Sequence, residues 1–249
     1  MATHQTCQPF AFNTPGTPDK KKRSFLQVGT WNVRTLNGQS EGIDRCEKLQ
    51  HNLERYKIDI CCLAETKMAG QGEISVGKWK LVYSGNTTGH RSHGVGVMMN
   101  QRALSNLIGH NCVSERLMAS TFLLPKSKLH VVSVYAPTED KSEHTKEYFY
   151  HSLQTLLDTF PKRDMVMIAG DFNAQLGGQD RAVWDGALGK FCLGRKITEN
   201  GTKLLSFCST NQLVVRNTFF QHKDIHKATW VGPAGDLANQ IDHFIVSKV

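Results

Sequence analysis

Five polar side chains follow four short apolar stretches of the sequence, at the points where predicted strands end. They are Asn32, Glu65, Tyr135, Asp171 and Asn173. Strands of α/β enzymes commonly cross the core and present catalytic groups at their ends. Carboxylate and amide oxygens suit Mg²⁺ or Mn²⁺. A metal on a phosphate oxygen offsets developing charge, while a nearby carboxylate and amide align the attacking water. The set therefore indicates metal-dependent chemistry on a phosphate.

Each of these signals is weak when taken alone. A glutamate after an apolar strand, such as Glu65, is more often a solvated strand end. The tetrapeptide Gly170-Asp171-Phe172-Asn173 could also be an ordinary turn, because glycine, aspartate and asparagine are all turn formers. Only the recurrence of polar strand ends favours the chemical interpretation.

Strands must carry these residues, and the apolar pattern predicts where the strands lie. The prediction is strands at 25–31, 58–64, 79–83, 94–99, 117–124, 129–135, 164–169, 213–216, 229–230 and 240–246, with helices at 43–56, 142–160 and 199–210. The helices have apolar residues at three- and four-residue spacing. Strands mostly follow one another, with helices at intervals. This order predicts two stacked sheets flanked by helices rather than strictly alternating βαβ units.

Bulk composition constrains the partner and the compartment. The length of 249 residues is typical of one large domain. The formal net charge of +8 favours binding to polyanions such as nucleic acid. The alternative is a basic protein whose charge only keeps it soluble. Seven cysteines in an odd count, without zinc-site spacing, suit a reducing compartment. The sequence shows no secretory signal and no apolar membrane span. We therefore expect an intracellular protein without membrane association.

The first 23 residues are rich in threonine, proline, glutamine and asparagine and end in Lys20-Lys21-Lys22-Arg23. This composition predicts a disordered basic arm over residues 1–23, with the folded domain at 24–249. The four basic residues are a candidate nuclear address or phosphate-binding patch. A solvated run of charge is the alternative.

Five motifs now resemble those of a known family, in the same order along the chain. They are Thr30-Trp31-Asn32-Val33-Arg34, Leu63-Ala64-Glu65-Thr66, Ser133-Val134-Tyr135-Ala136-Pro137, Gly170-Asp171-Phe172-Asn173-Ala174 and Gln240-Ile241-Asp242-His243. The chain resembles the endonuclease/exonuclease/phosphatase superfamily, which includes DNase I and the apurinic/apyrimidinic endonucleases. Finer texture, including Gly94-Val95-Gly96-Val97 and Asn217-Thr218-Phe219-Phe220, is most similar to endonuclease domains of RTE-type non-LTR retrotransposons and to craniofacial development protein 2-like proteins.

The resemblance implies a fold, a cofactor, a partner and residue roles. The fold would be a DNase I-like four-layered α/β sandwich, and the reaction a Mg²⁺- or Mn²⁺-dependent cleavage of DNA. Glu65 would hold the metal, with Asn32 beside it on the same metal or phosphate, and Tyr135 would donate to the scissile phosphate. Asp171 would position or deprotonate the water, and Asn173 would hold phosphate oxygens. Asp242 would orient the catalytic histidine, and Thr218 and Arg34 would contact DNA.

One family motif, Ser-Asp-His, does not occur after Asp242 in the 249 residues, nor does the final strand that follows it in the family. We therefore expect a C-terminally truncated domain with reduced activity. His243 is a poor substitute, because adjacent residues of a strand point to opposite faces. We expect His243 to lie in packing or on the surface.

Three functions remain open from the sequence. The first is a retrotransposon-derived, metal-dependent DNA endonuclease, which the basic charge favours. The second is a non-catalytic DNA- or protein-binding remnant of such a domain, favoured by the missing motif. The third is a phosphatase or sphingomyelinase relative, since a fold does not fix its substrate. The basic charge and the local motifs disfavour the third.

Overall fold

The computed structural model describes residues 10–13, 25–36, 41–88, 91–178, 181–184, 186–194, 196–232 and 238–248. Lys20 to Arg23 and Pro233 therefore lie outside the described residues. Within them, no helix is long and apolar enough to cross a bilayer. The six described cysteines are all free thiols.

The described regular structure contains fourteen strands, four α-helices and three short 3-10 helices. The strands are β1 (Phe10–Asn13), β2 (Phe25–Asn32), β3 (Ile60–Ala64), β4 (Gln71–Val76), β5 (Trp79–Ser84), β6 (Val95–Asn100), β7 (Leu107–Ser114), β8 (Leu117–Leu123), β9 (Lys128–Tyr135), β10 (Met165–Asp171), β11 (Leu213–Val215), β12 (Trp230–Val231), β13 (Ala238–Asn239) and β14 (Asp242–Ser247). The helices are α1 (Glu41–Arg55), α2 (Gln101–Leu104), α3 (Glu143–Asp158) and α4 (Glu199–Thr210).

Two mixed six-stranded sheets flanked by helices form the α/β sandwich that the sequence predicts. Contacts divide the chain into two compact units. The unit called N here contains Cys7–Tyr135 and Phe160–Val166, and the unit called C contains Ala136–Thr159 and Met167–Val249. Each unit is described by itself.

Unit N contains the whole first sheet, in the order β1-β2-β3-β6-β5-β4. Strands β2 and β3 are parallel, and the other pairs in this sheet are antiparallel. The antiparallel ladder β7-β8-β9 belongs to the second sheet. Strands β3 and β9 lie face to face, since the Ser133 hydroxyl donates to the Leu63 carbonyl at 3.2 Å.

Helix α1 covers the outer face of the first sheet. Its apolar side chains Cys46, Leu49 and Leu53 are buried, as the three- and four-residue spacing predicts. They join a core cluster with residues of the sheet that includes Leu63 and Trp79. Burial of such aliphatic side chains stabilises the fold by about 1.5–3 kcal/mol each.

Unit C pairs β10, β14 and β11 antiparallel, with β14 in the middle. Helix α3 buries Phe149, Leu153 and Leu156. Its Lys146 side chain is almost fully buried and donates to Glu199 of α4 at 2.9 Å. At the other end of both helices, Gln154 and Asn211 exchange hydrogen bonds.

The prediction for residues 1–23 is wrong in one segment. Phe10–Asn13 forms β1 and pairs antiparallel with β2, with Phe10 opposite Val28. Because an edge strand offers unpaired N–H and C=O groups, a short upstream segment can gain backbone hydrogen bonds by adding to it. The sequence also did not predict strands β4 and β7.

Candidate active site

Asn32 and Glu65 meet in unit N at the ends of the two parallel strands. Asn32 ends β2 and pairs with Ala64, the last residue of β3, so Glu65 follows at the same edge. The Asn32 Nδ2 donates to the Glu65 Oε1 at 2.7 Å. The two strand ends therefore bring these two side chains into direct contact, while their role as metal ligands stays a prediction.

Neighbouring groups fix the orientation of this pair. The Asn32 Oδ1 accepts from the backbone N–H of Arg34 at 3.0 Å, so the amide is held at both ends. The Lys67 Nζ lies 3.6 Å from the Glu65 Oε2. Glu65 thus holds one carboxylate oxygen toward an amide and the other toward a cation. Arg34 itself is exposed, as a contact with a polyanion requires.

Left-handed backbone conformations concentrate around these residues. Seven described non-glycine residues have positive φ, and Arg34, Glu65, Lys67 and His93 account for four of them in unit N. Asn173 in unit C is a fifth. Each such residue costs roughly 1–3 kcal/mol and persists only where the surroundings enforce it. Such strain is commonly found at active sites and ligand clamps.

The segment 65–67 is held by a second loop that packs against it. Thr66 N–H donates to the Gly94 carbonyl at 3.0 Å, and Lys67 N–H donates to the His93 carbonyl at 2.7 Å. Gly94 has φ +93°, and a Cβ built there would lie 2.4 Å from the Thr66 Oγ1. Glycine is therefore required at position 94 for the loop to approach Thr66 so closely.

Tyr135 lies against two residues that the sequence analysis did not identify. The Arg116 guanidinium carbon is 5.2 Å from the Tyr135 ring centre, and its Nη1 donates to the Tyr135 carbonyl at 3.0 Å. The His93 ring centre is 5.9 Å from the Tyr135 ring centre on a tilted plane. Burial lowers the pKa of the Arg116 guanidinium from its ordinary value.

Hydrogen bonds connect Tyr135 to the Glu65 segment through this arginine turn. Tyr135 N–H donates to the Arg116 carbonyl, and Gly94 N–H donates to the carbonyl of the adjacent Glu115, both at 3.0 Å. Gly94 in turn holds Thr66. No sequence signal distinguishes Arg116, because a turn of Glu115-Arg116 between two strands is also an ordinary exposed hairpin turn.

In unit C, Asp171 and Asn173 form a compact turn at the end of β10. The Asp171 Oδ1 accepts from the Asn173 N–H at 2.9 Å, and the Asn173 Nδ2 donates to the Ala136 carbonyl at 2.9 Å. Asn200 of α4 holds the same turn by donating to the Asn173 carbonyl at 3.0 Å. The Asp171 side chain is buried, so its direction is fixed.

Asp242 and His243 begin β14, with Asp242 directly opposite Asp171. His243 is fully buried: its Nε2 lies 2.8 Å from the Ala174 carbonyl and its Nδ1 3.2 Å from the Asn217 Nδ2. Burial lowers the pKa of His243 to about 4. Of the two positions expected for His243, in packing or on the surface, the structure shows the first, and the buried ring is not available to a substrate.

Thr218 corrects the sequence analysis. Its side chain is fully buried. The hydroxyl donates to the Val215 carbonyl at 2.6 Å and accepts from the Gly189 N–H at 2.8 Å. The predicted contact of this side chain with DNA is therefore wrong, because its polar group is used inside the protein.

The donor set in unit N fits a hard divalent cation. Among the described residues, no three His, Cys, Asp or Glu side chains converge into a protein cage for a metal. Mg²⁺ rarely needs one, since it binds through one or two carboxylates and keeps its remaining positions for water and substrate phosphate. Glu65, with the amide of Asn32 beside it, supplies such a partial ligand set.

Comparison with known proteins identifies the class. The family model described as Endonuclease/Exonuclease/phosphatase family matches residues 29–248. The chain belongs to this family.

Two relatives of known name are similar to most of this chain. Craniofacial development protein 2 of Bos taurus is 36% identical over 218 residues, and that of Tragulus javanicus is 35% identical over 218 residues. The matches cover 88% of this chain but only 35% and 36% of the two relatives, so the chain spans about a third of their length.

Solved structures agree on the fold. AP endonuclease LMAP from Leishmania major superposes with a TM-score of 0.63 at 16% identity, covering 90% of this chain and 79% of that chain. The endonuclease domain of TRAS1, a telomere-specific non-LTR retrotransposon, gives a TM-score of 0.57 at 13% identity, with 88% and 83% covered. The predicted DNase I-like sandwich is confirmed.

Proposed function

We propose that this chain is a divalent-metal-dependent, retrotransposon-derived endonuclease that hydrolyses phosphodiester bonds of DNA, with Mg²⁺ or Mn²⁺ as cofactor. Support comes from the family, from structural neighbours that are an AP endonuclease and a retrotransposon endonuclease domain, and from the basic charge. The observation that carries the proposal is the Glu65 carboxylate, held by Asn32 at the joint end of two parallel strands in a strained backbone.

The residues of unit N would bind the metal and the phosphate. Glu65 would be the anionic ligand, and Asn32 would keep its carboxylate pointing outward from the strand end. A divalent cation bound there would offset negative charge developing on the phosphate oxygens. Tyr135 would donate its hydroxyl to the phosphate, with Arg116 and His93 fixing its ring. Exposed Arg34 would pair with a DNA phosphate.

The residues of unit C would handle the water and its proton. Asp171 would accept the proton of the attacking water, since its carboxylate is held by the Asn173 N–H and cannot rotate freely. One Nδ2 hydrogen of Asn173 donates to the Ala136 carbonyl, which leaves the other for a phosphate oxygen. Asp242 would orient the catalytic histidine of the family. The adjacent His243 does not take that role, because its ring is buried in packing.

Plasmid nicking with Mg²⁺ tests the proposal. We expect Glu65→Gln to lower the nicking rate by on the order of 10²-fold or more, and Asp171→Asn by about 10²–10⁴-fold. The double variant should lose much less than the product of the two effects, because groups that serve one step are not additive. Glu47→Gln, on the exposed face of α1, is the matched control and should nick normally.

A folded chain that nicks no faster than Glu65→Gln would refute the enzymatic proposal. In that case the non-catalytic alternative, a DNA- or protein-binding domain, becomes the better description. Circular dichroism of each variant separates a loss of chemistry from a loss of structure.

A further inference from the structure

The turn that contains buried Thr218 presents aromatic and basic side chains on its outer face. Asn217 and Thr218 anchor this turn from inside unit C: the Asn217 Oδ1 accepts from Phe244 N–H at 3.1 Å, and its Nδ2 lies beside His243. Gly189 packs so closely that a Cβ there would lie 2.2 Å from the Thr218 carbonyl. The turn is therefore held rigidly by the core beneath it.

The residues that follow are exposed over a whole stretch. Every residue from Phe220 to His226 is exposed, including Phe220 at 42% and Ile225 at 75%. The chain then returns to the interior at Lys227 and Ala228. Thr229, the next residue, accepts from the backbone N–H groups of both Ile241 and Asp242. The exposed stretch is thus fixed at both ends.

This stretch carries positive charge, and its basic side chains lie close to its exposed apolar side chains. The Arg216 guanidinium carbon lies 4.9 Å from the Phe220 ring centre. Lys223 has no ion-pair partner among the described residues, whereas Asp224 is already paired with Lys227 at 2.9 Å. Exposed apolar side chains interleaved with cations are the pattern by which proteins contact bases, sugars and phosphates together.

We propose that Arg216, Phe220, Lys223 and Ile225 form a DNA-contact surface of unit C, here called the 216–225 surface. Lys223 and Arg216 contact backbone phosphates, while Phe220 and Ile225 contact sugars and base edges. The surface is positively charged and therefore complementary to DNA, because Lys227 neutralises Asp224, the one acidic residue of the stretch. This inference rests on the proposed function, because it takes DNA as the substrate. In this proposal, exposed residues near Thr218 contact the DNA in place of the buried Thr218 side chain.

Binding of a fluorescent DNA duplex in the presence of a chelator tests the surface without cleavage. We expect the pair Phe220→Ser and Ile225→Ser to raise Kd by at least about fivefold, corresponding to the loss of one modest stacking contact. The matched control pair, Ile108→Ser and Leu123→Ser, removes apolar side chains of similar exposure in unit N and should bind normally.

The salt dependence of DNA affinity tests the charged residues of the 216–225 surface. Lys223→Ala should reduce the slope of the logarithm of affinity against the logarithm of salt concentration by about 1, as loss of one phosphate contact requires. Lys126→Ala, an exposed lysine of unit N, should leave the slope unchanged. In nicking assays, the variants of the 216–225 surface should raise KM and leave kcat unchanged.

The outcomes separate this inference from the proposed function. DNA affinity of the Phe220/Ile225 variant equal to that of the unchanged chain, or an equal loss in the control pair, overturns the 216–225 surface. A chain that binds DNA without nicking it overturns the enzymatic proposal, and the same binding comparison still decides the surface. Absence of DNA binding at low salt overturns both.

Discussion

His243 illustrates how one buried residue sets a chemical property of the chain. Both ring nitrogens are engaged inside unit C, by the Ala174 carbonyl and by the Asn217 side chain. The Nε2 faces a carbonyl, which requires a proton there, and a neutral ring then accepts from Asn217 through Nδ1. Burial lowers the pKa of His243 from 6.5 to about 4. The folded protein thus holds a neutral histidine beside Asp242.

We expect the stability of the chain to fall as pH falls through this window. Because the unfolded chain takes up the proton near pH 6.5 and the folded chain only near pH 4, the stabilisation is complete above pH 6.5 and is lost below it. The loss from this group amounts to about 2 kcal/mol by pH 5. Thermal unfolding followed over a pH series measures it.

The variant His243→Gln should unfold with a shallower pH dependence below pH 6.5. The exposed His51→Gln is the control and should keep the slope of the unchanged chain. Equal slopes in the two variants would show that His243 does not titrate in this window.

At the scale of elements, the loop after β3 depends on the loop before β6. Gly94 touches Thr66, and the carbonyls of His93 and Gly94 accept the N–H groups that follow Glu65. The position of Glu65 is therefore decided by a segment roughly 30 residues further along the chain, which is a tertiary and not a local effect.

Gly94→Ala tests this dependence. The added Cβ meets the Thr66 Oγ1 and the Lys67 nitrogen in a left-handed conformation, so we expect a loss of about 1–3 kcal/mol in the free energy of unfolding. The metal concentration for half-maximal nicking should also rise, because Glu65 moves with this segment. Gly109→Ala is the matched control, since nothing lies within 4 Å of its Cβ position.

Chemical denaturation and a Mg²⁺ titration of nicking give the two readouts. A Gly94→Ala chain as stable as the Gly109→Ala chain, with the same metal requirement, would contradict the role given to this contact.

At the scale of the whole molecule, the formal net charge of +8 is the property that governs binding to a polyanion such as DNA. A basic protein that contacts several phosphates releases counterions from DNA on binding, so its affinity falls steeply with salt. Basic residues in both units, including Arg34 and Lys223, contribute to this charge.

We expect the logarithm of DNA affinity to fall linearly with the logarithm of salt concentration, with a slope of about −0.9 for each phosphate contacted in duplex DNA. Fluorescence anisotropy at several salt concentrations gives the slope, and the total includes the contact assigned to Lys223. Affinity that does not change with salt would exclude phosphate contacts and would contradict the DNA proposal as a whole.

The sequence by itself determined the strands that carry the candidate site, because apolar runs and their polar ends are local properties of the chain. Strand β3 and the position of Glu65 at its end followed from one buried stretch. Helix α1 followed from its spacing of apolar residues. The family likewise could be inferred from short motifs, since each lies on one strand end.

Tertiary structure alone decided the rest. Strands β4 and β7 lie at sheet edges and are largely exposed, so they lack an apolar run; pairing with β5 and β8 defines them. The burial of Thr218 depends on Val215 and Gly189, and the surroundings of Tyr135 depend on Arg116. These contacts join residues from separate segments of the chain. No local pattern encodes them, because they form only when packing brings those segments together.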